Sequence, residues 1–448
     1  MDKISAFKAY DIRGKVPNEL NEDLAYKIGK AYVKLINCKS IVVGHDVRKS
    51  SGKISEALSR GLTESGVDVI DIGLCGTEMI YFATPFLDTD GGIMITASHN
   101  PPEYNGMKLI KKNSVPVGYE SGLQEIEQMI LRNDYDIKSE RNGKLLHKDI
   151  MKDFIAHLRN FYSSSKIKNL NVVVNGGNGC VGLALDAIEK ELPIKMIRVF
   201  TNPDPEFPHG VPNPLLPENR IATIDAVIQH KADLGVAWDG DYDRCFFFDE
   251  KGNFIEGYYI VGLLAKSILK KNRGSNIVHD PRLVWNTIKI VKENGGKAVQ
   301  SVSGHAYIKA KMREVNAVYG GEMSAHHYFR ENSYSDSGMI PFLLVMQLMS
   351  EENRTLSQLV GEMVNEFPCS GEINSTIPEP AKKIAEIDKI YLEGKKDYSD
   401  GLSVEYENWR FNVRMSNTEP IIRLNVESKY NLKLLKDKTE ELLKIIRS

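Results

Sequence analysis

The chain has 448 residues, of which 58 are basic and 60 acidic, for a formal charge of −2; 42 % are apolar and 26 % charged. That length favours two to four domains, and that composition excludes disorder, collagen and coiled coil for the bulk of the chain. The charge balance offers no polybasic surface to nucleic acid or an anionic membrane, but leaves room for a local phosphate-binding cleft.

Strand and helix signals alternate along most of the sequence. Ser40–Gly44 reads as a buried strand, Lys53–Ser65 as a helix and Val67–Ile72 as a strand, followed by a strand at Gly91–Ile95 and a helix at Gly122–Leu131. A strand at Asn171–Val174, helices at Val181–Leu192 and Asn219–His230, and a strand at Leu234–Trp238 continue the rhythm. A third run has a helix at Glu256–Leu269, a strand at Asn276–His279 and a helix at Leu283–Glu293. This alternation predicts mixed or parallel sheets covered by helices. The last stretch differs: a strand at Glu372–Ile377, helices at Ala381–Leu392 and Leu432–Ile446, and β-rich sequence between them.

The expected fold class is therefore α/β: three mixed-sheet domains, then a C-terminal α+β domain. Boundaries near residues 152, 251 and 366 give blocks 1–152, 153–251, 252–366 and 367–448. The proline-rich segment Thr201–Glu218 is too long for an ordinary connector, and such loops often line a site. The five cysteines are widely spaced with no CxxC, which argues against a disulfide framework or a thiolate zinc site. The first residues, MDKISAFKAYDIRG, have no apolar signal-peptide core. The longest apolar stretch, Met339–Met349, is interrupted by Pro341 and Gln347 and is too short to span a bilayer. A reducing, cytoplasmic setting is expected.

Four segments concentrate chemistry. The first is Thr96-Ala97-Ser98-His99-Asn100-Pro101-Pro102, with Lys108 shortly after, directly behind a predicted strand. Ligands in open α/β sheets bind at the carboxyl ends of strands. Ser98 there suits a nucleophile carrying a phosphoryl group, with a basic neighbour to take or offset charge; a plain polar turn would use the same residue types. The second is Asp239-Gly240-Asp241-Tyr242-Asp243-Arg244, again behind a strand. In an extended chain its alternate carboxylates project to one side, so three hard oxygens converge on one cation. An EF-hand reading fails, because Arg244 stands where that loop needs glycine and a strand leads in. The alternative is a solvated acidic turn.

The third segment, Gly320-Gly321-Glu322-Met323-Ser324-Ala325-His326-His327, offers carboxylate and hydroxyl groups that match sugar diols on a glycine-opened loop. His327 reads as a packing or surface residue; for His326, function and packing both stand. The fourth, Arg414-Met415-Ser416-Asn417-Thr418-Glu419-Pro420, supplies guanidinium, hydroxyl and amide donors to a phosphate. Neither GxxxxGK[ST] nor GxGxxG occurs, so no nucleotide fingerprint is present. Together the four segments point to phosphoryl transfer on a small phosphorylated polyol.

In this order, from Tyr10-Asp11-Ile12-Arg13-Gly14 through TASHNPP, DGDYDR, GEMSAHH and RMSNTEP, the segments closely resemble the α-D-phosphohexomutase family over nearly the whole chain. Within it, GEMSAHHYF looks most like bacterial phosphomannomutases. The resemblance implies four domains around a central cleft, and interconversion of mannose 6-phosphate and mannose 1-phosphate through a phosphoserine enzyme and a hexose 1,6-bisphosphate. A glucose-specific or dual-specificity mutase is the alternative. It implies that Ser98 carries the phosphoryl group, and that Mg2+ is held by Asp239, Asp241, Asp243 and an oxygen of that phosphoserine. Glu322 and Ser324 would contact sugar hydroxyls, Arg414, Ser416, Asn417 and Thr418 the non-reacting phosphate, and Tyr10, Arg282 and His305 would line the cleft. Arg244 and Lys108 would offset charge on the transferring group. His326 is the first choice for the base and His99 the second, tuned by Arg13 and Lys108. The expected partner is a small phosphosugar, with hexose 1,6-bisphosphate as activator. The loop often has glycine where Tyr242 stands, so the tyrosine side chain is expected to point outward. Arg282 replaces a lysine of some relatives, keeping the charge but changing its geometry.

Overall fold

The strands Gly91–Ile95 and Leu234–Trp238 are buried at every position, as expected where helices cover both faces of a sheet. The computed structural model that places them describes residues 3–137, 139–415 and 421–448. The chain divides into two compact units, one of residues 1–254 and 326–353, the other of 255–325 and 354–448.

In the first unit, one sheet runs in the order Ile12–Lys15, Tyr104–Lys111, Gly91–Ile95, Ser40–His45, Asp68–Leu74, Leu145–His147. Its inner strands are parallel, while Tyr104–Lys111 runs antiparallel to both of its neighbours. In a second sheet, which begins with Phe254–Ile255 beside Cys245–Phe248, Cys245–Phe248 pairs antiparallel with Leu234–Trp238, and Leu234–Trp238, Leu170–Asn175 and Ile194–Val199 follow in parallel. The unit also holds the antiparallel strands His327–Phe329 and Ser335–Asp336. The apolar run noted above forms the helix Met339–Glu352. Pro341 lies in its first turn, where the missing N–H has no intrahelical partner to lose.

In the second unit, Asn276–His279 lies between Lys297–Gln300 and Tyr319–Gly321, all parallel. Its other sheet is antiparallel throughout, in the order Ile373–Thr376, Ile421–Ser428, Trp409–Met415, Leu402–Glu405, Lys395–Asp397. The helices Pro380–Ile390 and Leu432–Arg447 pack on it through Ile387, Leu435, Leu442 and Ile446. The fold is thus mixed-sheet α/β with a C-terminal antiparallel α+β block. Among the described residues, no helix is long and apolar enough to cross a membrane.

Candidate active site

Two strands of the first unit end in loops that meet. Ser98 follows Gly91–Ile95, and Asp239 follows Leu234–Trp238. Ser98 is buried at φ 49°. Its backbone N–H donates to Thr96 Oγ1 (2.8 Å) and its Oγ donates to Asp239 Oδ2 (2.8 Å). His99 Nδ1 lies 3.0 Å from the same Oγ.

The three aspartates converge through a turn, not through an extended strand as their spacing suggested. Tyr242 N–H donates back to the Asp239 carbonyl (3.1 Å), and Tyr242 sits at φ 42°. Nor does Tyr242 point outward: it is fully buried. Its ring packs over Gly76, where a Cβ would come within 2.1 Å of a ring carbon. A bulky residue fits this turn because the facing helix begins with a glycine.

Asp239, Asp241 and Asp243 are buried, and ligand oxygens from all three lie within 4.8 Å of one another. Asp241 Oδ1 makes no hydrogen bond, and Asp243 Oδ1 has only His326 Nε2 near it, 3.6 Å away. Burying an acceptor without a partner is costly, so the triad fits a hard divalent cation. Cationic side chains fill out the cluster. Lys108, on Tyr104–Lys111, reaches Asp241 Oδ2 at 2.7 Å and also bonds Asp243. Arg244 Nε donates to Asp239 Oδ2 (2.7 Å), and a terminal nitrogen donates to His99 Nδ1. Thr77 supports Asp241 through backbone N–H and hydroxyl.

Electrostatics differ across the triad. Burial holds the Asp239 carboxyl up at about 6 despite Arg244, with Asp243 and Asp241 adding repulsion. Burial also acts on Asp243, but Lys108, His326 and Arg244 outweigh it and hold that carboxyl well below the usual range. His99 is pushed well below ordinary histidine values by burial, then by Arg244 and Arg13. Because Arg244 donates to Nδ1, the His99 proton belongs on Nε2. His326 Nε2 lies 3.6 Å from Asp243 Oδ1, and its backbone bridges Arg244. Arg13 reaches the serine loop at the Ala97 carbonyl (3.3 Å) and Asn100 Oδ1 (2.5 Å). Tyr10 is half-buried nearby in the chain.

The second unit gathers another set. Arg282 is buried, with terminal nitrogens 2.6 Å from Asp280 Oδ2, 3.4 Å from Glu322 Oε1, 3.3 Å from Ser324 Oγ and 3.4 Å from Glu372 Oε2. Arg414 donates to Glu372 Oε2 (3.1 Å) and Arg423 to Oε1 (3.2 Å). Burial alone would raise the Glu372 carboxyl, yet the three guanidiniums hold it down at about 2. Gly320 and Gly321 end a strand rather than open a loop. His305 begins the helix His305–Glu314, directly after Gly304, whose N–H donates to Glu322 Oε1 (2.9 Å). His327 is fully buried in a strand, as packing requires. Ser416, Asn417 and Thr418 lie outside the described residues.

Arg423 and Glu372 escaped the sequence reading. Arg423 sits in a strand opposite Arg414, in a register that the antiparallel pairing sets and no local motif marks.

Family models match the chain in four consecutive pieces. These are Phosphoglucomutase/phosphomannomutase alpha/beta/alpha domain I at residues 5–136, domain II at 152–252, domain III at 256–367, and the C-terminal domain at 372–445. The chain belongs to the phosphoglucomutase/phosphomannomutase family. Among its relatives, a protein of Xanthomonas campestris pv. campestris named "Phosphohexose mutases" is 51 % identical over 446 residues, covering 99 % of each chain. An Escherichia coli phosphomannomutase is 50 % identical over 456 aligned positions, covering all of both chains. A solved phosphoglucomutase/phosphomannomutase family protein from Burkholderia thailandensis superposes with TM-score 0.88 at 28 % identity, covering 100 % of this chain and 98 % of that one.

Proposed function

We propose that the protein is a phosphohexose mutase that interconverts mannose 6-phosphate and mannose 1-phosphate, with Ser98 as phosphoryl carrier. The observation that carries this reading is Ser98 Oγ, 2.8 Å from Asp239 at the edge of a buried triad. A full-length relative named phosphomannomutase supports the substrate. Asp239, Asp241, Asp243 and an oxygen of phosphorylated Ser98 would hold a magnesium ion, which supplies charge neutralisation for the phosphoryl group.

Phosphoryl transfer asks for positioning and charge compensation more than for covalent participation. Arg244, with a terminal nitrogen 3.5 Å from Ser98 Oγ, and Lys108, bonded to Asp241 and Asp243, would offset the charge of phosphorylated Ser98. The sugar hydroxyl oxygen bonds to phosphorus as the Oγ–phosphorus bond breaks. His326 takes the hydroxyl proton; His99 is the poorer base because its Nδ1 lone pair is already engaged by Arg244. The product is a hexose 1,6-bisphosphate. After it turns over, its other phosphate passes back to Ser98 Oγ, and the proton returns to the sugar oxygen. The same bisphosphate, added from outside, primes an unphosphorylated Ser98.

Arg282, Arg414 and Arg423, with the donors of 416–418, grip the non-reacting phosphate, while Glu322 and Ser324 bond sugar hydroxyls. A grip that reads phosphate alone serves either end of the sugar. A coupled assay on mannose 1-phosphate and glucose 1-phosphate, with and without the bisphosphate, tests the reading. Isomerisation of mannose 1-phosphate supports it; release of inorganic phosphate without isomerisation contradicts it.

A further inference from the structure

Arg48 belongs to none of the four segments. Its side chain has no solvent exposure, and all five guanidinium N–H groups have acceptors. Nε donates to Asp46 Oδ2 (3.1 Å). One terminal nitrogen donates to the carbonyls of Pro101 (2.6 Å) and Tyr104 (2.9 Å), the other to those of Ser98 (2.9 Å) and Asn100 (2.6 Å). Three of these donors thus end on the backbone of the loop that carries Ser98, and the fourth on Tyr104, where the next strand begins. Such a planar fork fixes carbonyls in a geometry that an ammonium cannot reproduce.

Asp46 completes the clamp. Its Oδ1 accepts from Arg48 N–H (3.0 Å) and Ser51 Oγ (2.6 Å), and its Oδ2 also accepts from Thr96 Oγ1 (2.8 Å). Thr96 Oγ1 in turn accepts the Ser98 N–H. Both backbone polar groups of Ser98 are therefore tied to one buried ion pair. That matters because Ser98 holds φ 49°, a region that non-glycine residues occupy at a cost and only when surroundings enforce it. From the other side, Gly240 of the acidic turn lies so close that a Cβ there would sit 2.5 Å from the Ser98 carbonyl oxygen. Phe207, from the proline-rich segment, covers the clamp with its ring centroid 5.3 Å from the guanidinium carbon.

The same device occurs elsewhere in the chain. His45-Asp46-Val47-Arg48 and His279-Asp280-Pro281-Arg282 each end a strand. In both, histidine Nδ1 lies 2.8 Å from the aspartate carbonyl, and the arginine N–H donates to aspartate Oδ1 at 3.0 Å. Arg282 turns its fork to carboxylates and a hydroxyl; Arg48 turns it to backbone carbonyls. Charge toward a ligand is thus the use of one copy, and control of a loop the use of the other.

We propose that Arg48, locked by Asp46, is a positioning residue that holds Ser98 in its left-handed conformation, so that Oγ presents to the aspartate triad. The inference rests on the reading of Ser98 as phosphoryl carrier. Its test compares the intact wild-type chain with Arg48→Lys, Thr96→Val and Thr96→Ser. Intact mass after quenching reports the rate of phosphoryl uptake at Ser98 from glucose 1,6-bisphosphate. Steady-state kinetics on mannose 1-phosphate give kcat and KM, and thermal melting reports folding. Arg48→Lys and Thr96→Val are expected to slow uptake and kcat by roughly 100-fold, the cost of a small misplacement of a reacting group, with KM nearly unchanged. Thr96→Ser, which keeps the acceptor for Ser98 N–H, is expected to restore most of the rate. Wild-type rates in Arg48→Lys and Thr96→Val, a loss that only tracks the unfolded fraction, or equal loss in Thr96→Ser and Thr96→Val would overturn the proposal. Should Arg48→Lys fail to fold, the Thr96 pair decides. A wild-type chain that turns over without phosphorus ever reaching Ser98 overturns the carrier reading and this inference with it.

Discussion

Ser98 Oγ donates to Asp239 Oδ2 across 2.8 Å although 141 residues separate them in the chain. Two strand ends, each followed by a sharply turned loop, bring a hydroxyl and a carboxylate together in a buried place. Neither loop contributes the arrangement alone. The serine loop carries the hydroxyl, and the acidic turn carries three buried carboxylates that could hold a cation.

Asp241 tests that need. Its Oδ2 is occupied by Thr77 and Lys108, leaving Oδ1 with no partner. Asp241→Asn is expected to lower affinity for the activating metal at least 10-fold, about the penalty for losing a partner one step removed from a metal, and to lower kcat with it. Magnesium titration of activity after chelator treatment measures both. Unchanged activity in chelator-treated wild type and in the variant would remove the metal from the account.

Gly76 faces the ring of Tyr242 with no room for a methyl group. Gly76→Ala is expected to destabilise the protein by about 1–3 kcal/mol through overpacking. Tyr242→Gly empties a buried site and is itself expected to cost about 3–5 kcal/mol, but on that background Gly76→Ala should cost little, so the two changes are expected to be non-additive. Denaturant melts of the single and double variants measure the coupling.

Glu78 carries a pH dependence whose sign is fixed by burial. It is buried, Oε1 has no hydrogen-bond partner, and burial raises its carboxyl to about 8 against the hydrogen bonds of Ser337, Met339 and Gly338. The folded state therefore keeps a proton that the unfolded chain releases near its ordinary value of 4.5. This group's contribution to stability is full below that value, falls as pH rises toward 8, and is flat above. Glu78→Gln is expected to remove this decline, leaving the variant relatively more stable at pH 8 than at pH 5. Melting curves across that range check it.

Legibility in the sequence followed locality. Gly91–Ile95, Leu234–Trp238 and Asn276–His279 coincide with the strands read from their apolar runs. The helix expected over Gly122–Leu131 begins at Gln124, because Gly122 at φ 153° breaks a wider turn before it. The helix expected over Val181–Leu192 ends at Ile188 and tightens into a 3-10 turn. Met339–Glu352 was hidden because a helix apolar on most sides has no periodic face to read. At the site, Ser98 and the aspartates stood out because small, hydroxyl and acidic residues cluster in sequence behind strands. Arg48, Arg423 and Thr77 did not, since what they hold lies far away in the chain. The turn at Tyr242 was misread because its fit depends on Gly76, 166 residues earlier.

On the proposed reading, Arg282, Arg414 and Arg423, gathered on Glu372, bind phosphate from either end of the sugar. Arg414→Ala and Arg423→Ala are each expected to raise KM for the hexose 1-phosphate and the hexose 6-phosphate alike, by roughly 10-fold for a lost charged hydrogen bond of about 1.5 kcal/mol, with a smaller effect on kcat. Initial rates in both directions measure this. A change confined to one isomer would contradict a shared phosphate subsite.

The most direct measurement follows labelled phosphorus through a single turnover. Wild type and Ser98→Ala are incubated with glucose 1,6-bisphosphate carrying 32P, freed of excess, mixed with mannose 1-phosphate and quenched over time. Label is expected on Ser98, then on the sugar, at a rate no slower than kcat; Ser98→Ala is expected to take up none and to turn over none while still binding substrate. Mutase turnover with no label ever on Ser98, or substantial turnover in Ser98→Ala, would contradict the account.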